Sequence, residues 1–127
     1  MRIIIAGGRD FDNYNLLKKE CNNILQKLNI NDSIIIISGM ARGTDLLGLQ
    51  FAKENNFQFE CFSANWKVYG LQAGYLRNEE MANIANCLIA FWDGKSKGTK
   101  HMIDIMQKKE KLVFIIQYTT EQMINWF

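Results

Sequence analysis

Short runs of apolar, mostly β-branched residues alternate along this chain with longer segments of helical period, and that alternation restricts the fold more than any other feature. Ile3, Ile4 and Ile5 precede Tyr14, Leu17, Cys21, Ile24, Leu25 and Leu28, spaced three and four apart as one face of a helix requires. An apolar run over 33–37 precedes Leu47, Phe51 and Ala52, which mark a second helix. Residues 57–62 read as a third strand with alternating faces, followed by a helix over about 72–85. Cys87–Trp92 is a fourth strand, a helix covers about 99–109, and 112–116 is a fifth strand. Strands that are apolar throughout and separated by helices predict a parallel sheet covered on both faces. Right-handed crossovers then give an α/β fold, a Rossmann-like, doubly wound sheet of about five strands.

The length of 127 residues suits one domain over 1–127, with 119–127 as an apolar C-terminal tail carrying Met123, Ile124, Trp126 and Phe127. Such a tail is expected to dock on the body or on a second subunit, making a homo-oligomer. A net charge of +2 is too small for a nucleic-acid glove or a polybasic membrane anchor. Cys21, Cys61 and Cys87 are scattered and odd in number, so the expectation is buried thiols in a reducing cytoplasm, with no disulfide framework and no metal. The first residues are too short for a signal h-region, and no run approaches a membrane span. Proline is absent, so the turns are expected to rely on Gly, Asn, Asp and Ser.

Eight of the nine glycines fall in three strand-to-helix loops and the stretch before the third long helix, with Gly48 alone inside a helix. In a parallel sheet these loops emerge at one rim, where open α/β sheets bind ligands. Glycine lets backbone N–H groups approach an anion, and helix N-termini add favourable dipole ends. Three such loops together predict a phosphate site. The first is Gly7 and Gly8, with Arg9 and Asp10 at the mouth of the first strand. The second is Ser38, Gly39, Met40, Ala41, Arg42, Gly43 and Thr44, ahead of Asp45. It lacks the Lys-Ser/Thr pair of a P-loop and the G-x-G-x-x-G of NAD dehydrogenases. Asp45 also suits capping of the helix start. The third is Asp93, Gly94, Lys95 and Ser96, running through Lys97 to Gly98 and Thr99, a cationic turn before a helix.

Arg77 lies in the first turns of a helix, where the dipole disfavours a cation, yet on the inward stripe with Met81 and Ile84. That placement requires an anionic partner, either a phosphate or one of Asp10, Glu79 and Glu80; Asn78 stands beside it. Trp66 and Tyr69, in the loop after the third strand, are candidates for stacking on a base, or simply cover the core. His101 has no Ser or Cys partner, so a nucleophilic triad has no support.

Taken together, residues 2–11, 38–45, 74–81 and 90–99 resemble the SLOG superfamily, in particular its small stand-alone branch akin to YspA and YpsA. Relatives include the lonely-guy phosphoribohydrolases and the Rossmann domain of DprA. The resemblance runs to about Ile116 and leaves the tail outside it. It implies binding of nucleotides or nucleotide-derived signals such as NAD or ADP-ribose derivatives, often as a sensor. Carried over, Gly39 to Thr44 and Gly94 to Thr99 would hold phosphates and Arg77 would be the site arginine.

The departures from that pattern are specific. Lonely-guy enzymes carry a catalytic glutamate two positions after the Gly-Thr, whereas here Lys100 and His101 follow Thr99 and the next acid is Asp104. Met40 stands where a glycine is expected, Asn65 where an aspartate is, and Leu76 where a proline is. The leading expectation is a binding module that senses or sequesters a phosphate-bearing, nucleotide-derived molecule, and the sequence specifies no cofactor beyond that ligand. The alternative is a nucleoside-monophosphate phosphoribohydrolase, with Asp45, Glu79, Glu80 or Asp104 supplying the carboxylate. DNA binding in the DprA manner ranks below both, because no basic stripe is present.

Overall fold

The computed structural model describes residues 1–119, so the tail from residue 120 onward lies outside the described residues. Among the described residues, five strands are separated by helical segments: β1 (Arg2–Gly7), α1 (Tyr14–Leu28), β2 (Ile35–Ser38), α2 (Thr44–Glu54), β3 (Gln58–Cys61), α3 (Trp66–Tyr69), a 3-10 turn (Gly70–Gln72), α4 (Ala73–Ile84), β4 (Cys87–Trp92), α5 (Lys97–Lys108) and β5 (Leu112–Gln117). The sheet order is β3-β2-β1-β4-β5, every pair parallel, with Ile4 opposite both Ile37 and Leu88. The chain therefore builds outward from β1 in one direction, then crosses back to place β4 on its other side.

The period of two along β1 separates the two cores. Ile3 and Ile5 pack with Leu17, Cys21 and Ile24 of α1 and Phe51 of α2. Ile4 and Ala6 face the opposite way, onto Met81 and Ala82 of α4 and Met102, Ile103 and Met106 of α5. A one-residue slip would exchange these faces, so burial on both sides fixes the register. Gly48 allows α2 to lie flat on β1, since a Cβ there would stand 2.9 Å from the Ile5 side chain.

Several elements differ from the sequence expectation. β3 is a four-residue edge strand with Gln58, Phe59 and Cys61 exposed, so the alternating pattern does not make a buried face, and Cys61 is an exposed thiol. Trp66 and Tyr69 sit in a single-turn helix held by Asn65, whose side chain accepts from Val68 N at 3.3 Å. α5 starts at Lys97, so Gly98 joins Gly74 and Gly48 as a helical glycine. Turns without proline use Asn29 and Asn56 at positive φ, but also Glu110 (φ 58°) and Met40 (φ 67°), beyond the residue types expected there.

Candidate functional site

The strand order reverses at β1, and the loops leaving β1 and β4 diverge there, which opens a crevice at the carboxyl ends of the two strands. A cleft of about 310 Å³ occupies that crevice. Gly7, Gly8, Arg9 and Asp10 line it from β1, Ala41 and Asp45 from the second loop, Arg77, Asn78 and Met81 from α4, and Asp93, Ser96, Gly98, Thr99 and Met102 from the last loop and α5.

The first two loops are knitted together. Gly8 N donates to Phe91 O at 3.1 Å, and Gly8 O accepts from Thr44 N (3.2 Å) and Thr44 Oγ1 (3.0 Å). Gly7 has no room for a side chain, because a Cβ would run into the Phe91 carbonyl. Gly43, at φ 78°, lies against the carbonyls of Gly8 and Arg9. Gly43 and Thr44 thus clamp α2 to β1, and neither lines the cleft. Ser38 is also internal: its Oγ donates to Asp45 O (3.1 Å) and accepts from Met40 N (3.2 Å). Ala41 N donates to Asp45 Oδ2 at 3.1 Å. The amides of Met40, Ala41 and Thr44 are therefore engaged within the protein, and the second loop offers fewer anion donors than its glycines suggest.

The last loop is arranged differently. Asp93 Oδ1 accepts from Lys95 N and Ser96 N, both at 2.8 Å, and these donors hold its carboxyl below the usual range. Ser96 Oγ and Thr99 Oγ1 are paired at 3.2 Å, and no side chain caps the start of α5. The first-turn amides of a helix have no intrahelical acceptor, so those of α5 stay available beside the cleft. Open space lies above Gly98. Gly94 and Lys95 do not line the cleft.

Arg77 stands at the centre. Its Nη1 donates to Gly39 O at 3.0 Å, while its buried Nε has no partner among the described residues. Its internal anionic neighbour is Asp45, not Asp10, Glu79 or Glu80: a Cβ on Gly39 would lie 2.8 Å from Asp45 Oδ2 and 3.0 Å from Arg77 Nε. Burial lowers the guanidinium pKa, Asp45 raises it, and Arg9 lowers it further. Asp45 is 5% exposed, and desolvation pushes its carboxyl up to about 6 despite Ala41 N, Arg77 and Arg9. Asp10 instead meets Arg42, at 3.5 Å on the surface.

Asn78, also buried, donates from Nδ2 to Gly98 O and to His101 Nδ1, both at 3.2 Å. His101 Nδ1 is therefore an acceptor and the proton sits on Nε2. The ring meets Tyr75 edge-on at 4.4 Å, and burial lowers its pKa against the opposing pull of Glu79 and Asp104. The sequence reading missed Tyr118, which is 4% exposed, lines the cleft and sets its hydroxyl against Gly8. An aromatic immediately beyond the last strand, on the rim shared by every strand-to-helix loop, was the available signal. Met40, Gly39, Arg42 and Trp66 line a neighbouring cavity instead, and Tyr69 lines neither. Glu79 and Asp104 flank a separate groove between α4 and α5, and Glu80 is exposed away from the cleft. Among the described residues no group of His, Cys, Asp and Glu could hold a metal, and no helix is long and apolar enough to cross a membrane.

A five-stranded all-parallel sheet with its cleft at the strand-order reversal defines an α/β protein of Rossmann-like type. Residues 1–69 match the model of the YspA, cpYpsA-related SLOG family, and the chain belongs to that family. The gene 61 protein of Mycobacterium phage D29 is 35% identical over 81 residues, which is 59% of this chain and 65% of that protein, just under two-thirds of its length. Among solved structures, DNA processing protein A (DprA) from Streptococcus pneumoniae superposes with a TM-score of 0.69 at 16% identity, covering 94% of this chain and 51% of that one. At that identity the likeness shows the fold alone.

Proposed function

We propose that this chain binds a phosphate-bearing, nucleotide-derived small molecule in the β1/β4 cleft, and acts by sensing or sequestering it. One observation carries the reading: Arg77 lines the cleft with a buried Nε that has no partner among the described residues, while the first turn of α5 lines the same cleft without a side-chain cap from them. An orphaned buried donor carries a desolvation penalty that an anion removes, and a guanidinium suits a phosphate in geometry as well as charge. The carboxylates around the cleft do not fill that role. Asp93 serves its own loop, Asp10 faces Arg42, and Asp45 accepts from Ala41 N without a hydrogen bond to the Arg77 Nε. Membership of the SLOG family fits a nucleotide-related role.

Native mass spectrometry of the purified protein, followed by extraction of any co-purified molecule, tests this. A near-stoichiometric nucleotide derivative, recovered intact and absent from an Arg77→Ala variant, is the expected result. An empty protein with no affinity for nucleotides overturns the proposal.

A hydrolytic reading rests on Asp45. Of the four candidate carboxylates it alone lines the cleft, and a carboxyl near 6 can hold a proton for a leaving base. Release of free adenine from AMP, abolished in Asp45→Asn, would support hydrolysis; AMP recovered unchanged would remove it.

A further inference from the structure

A second cavity, of about 270 Å³, opens at the same rim on the β2 side. It shares Arg9, Ala41 and Arg77 with the cleft but has a different character. The cleft mixes arginines with Asp10, Asp45 and Asp93, whereas among the described residues the second cavity is lined by Arg9, Arg42 and Arg77 without a carboxylate, and by Trp66.

Resting on the reading above, we propose that the second cavity takes the far arm of a dinucleotide-type ligand: an aromatic base on Trp66, with the diphosphate bridge across Arg9, Arg42 and Arg77. Size supports it. Small-molecule sites usually span about 300–1,000 Å³, so either cavity alone sits at or below the lower limit while the joined pair falls inside it. Charge supports it too. Arg9 already lowers the pKa of Arg77, and an anion held between these guanidinium groups would offset that repulsion. Among the described residues Arg42 pairs with Asp10 at 3.5 Å, with both side chains 74% exposed, a contact weak enough to leave Arg42 free to turn inward.

Trp66 supplies the apolar element. Its ring lies 5.9 Å from the Arg9 guanidinium and rests against α4 at Gly74, where a Cβ would stand 3.4 Å from the indole. The indole remains 47% exposed, unusual for so large an apolar side chain, and borders the arginine-lined hollow. An accessible indole beside cations stacks on any base while the cations hold the attached phosphates. Arg77 reaches both cavities and places the bridge at their junction.

Calorimetric titration of the full chain with NAD and with AMP tests the inference. NAD has two ring-bearing arms joined by a diphosphate, and AMP has one arm. NAD is expected to bind about thirtyfold more tightly or better. Trp66→Leu and Arg42→Gln are both expected to weaken NAD about tenfold more than they weaken AMP. Both residues are exposed enough for the fold to survive their replacement. Equal affinities in the wild type, or variants that weaken both ligands alike, overturn the second subsite and leave the proposed function standing. A chain that binds neither ligand overturns both.

Discussion

Replacing Asp45 by asparagine removes a charge that the fold holds at a disadvantage, and the size of the effect follows from its surroundings. Desolvation lifts the carboxyl from 3.8 to about 6, with the Ala41 N–H and the charges of Arg77 and Arg9 opposing only part of it. A pKa raised on folding means that the folded state prefers the protonated acid. The associated stability is complete below 3.8, falls as pH rises, and is gone once pH passes about 6. The interval between those values corresponds to about 3 kcal/mol. Asparagine keeps the side-chain oxygen that accepts from Ala41 N and cannot ionise. Urea unfolding of both proteins between about pH 3.5 and about pH 7.5 isolates this residue, because the other carboxylates are common to both and cancel. Relative to Asp45→Asn, the wild type should lose about 3 kcal/mol across that range, most of it before pH 6. A difference that stays flat, or that moves in favour of the wild type as pH rises, would refute the reasoning. The same logic makes anion binding take up part of a proton near neutrality, since a phosphate beside Asp45 disfavours its ionised form further.

Three further outcomes follow from local geometry. Met40 holds φ 67°, so Met40→Gly should stabilise the protein by about 1 kcal/mol, read as a higher urea midpoint; a lower midpoint contradicts the strain. Gly48→Ala gains about 1 kcal/mol of helix propensity but sets a methyl 2.9 Å from Ile5, so thermal unfolding should show a net loss of about 1 kcal/mol or more. His101 should carry its proton on Nε2 and resist protonation down to lower pH than a free histidine, checked by nitrogen NMR of the ring; a proton on Nδ1 would break the Asn78 contact and contradict the structure.

The sheet was legible because β1 and β4 are buried on both faces, so their runs are apolar throughout and carry no competing pattern. β3 misled for the opposite reason: at the sheet edge neither of its faces is fully covered, so its apolar residues stay exposed and Cys61 lies at the surface. Arg77 stood out because its position opposes both the dipole and the apolar stripe, which is a local signal. Its partner was not local. Asp45 lies 32 positions earlier in the chain and reaches Arg77 only after β2 and α2 fold back over the rim. The contacts of Gly43 and Thr44 with the first loop were not legible, because glycine and threonine at a helix start serve equally well to hold a phosphate or to clamp one loop onto another. Tyr118 escaped because its role depends on β5 lying beside β4, a tertiary fact with no periodic trace.

The most direct test of the central claim is an amide NMR titration of the labelled protein with AMP. The account predicts saturable shifts concentrated at Gly8, Gly98 and Thr99 and at the Arg77 Nε–H, all around the β1/β4 crevice. Shifts confined to the groove between α4 and α5, or no shifts at millimolar AMP, would contradict it.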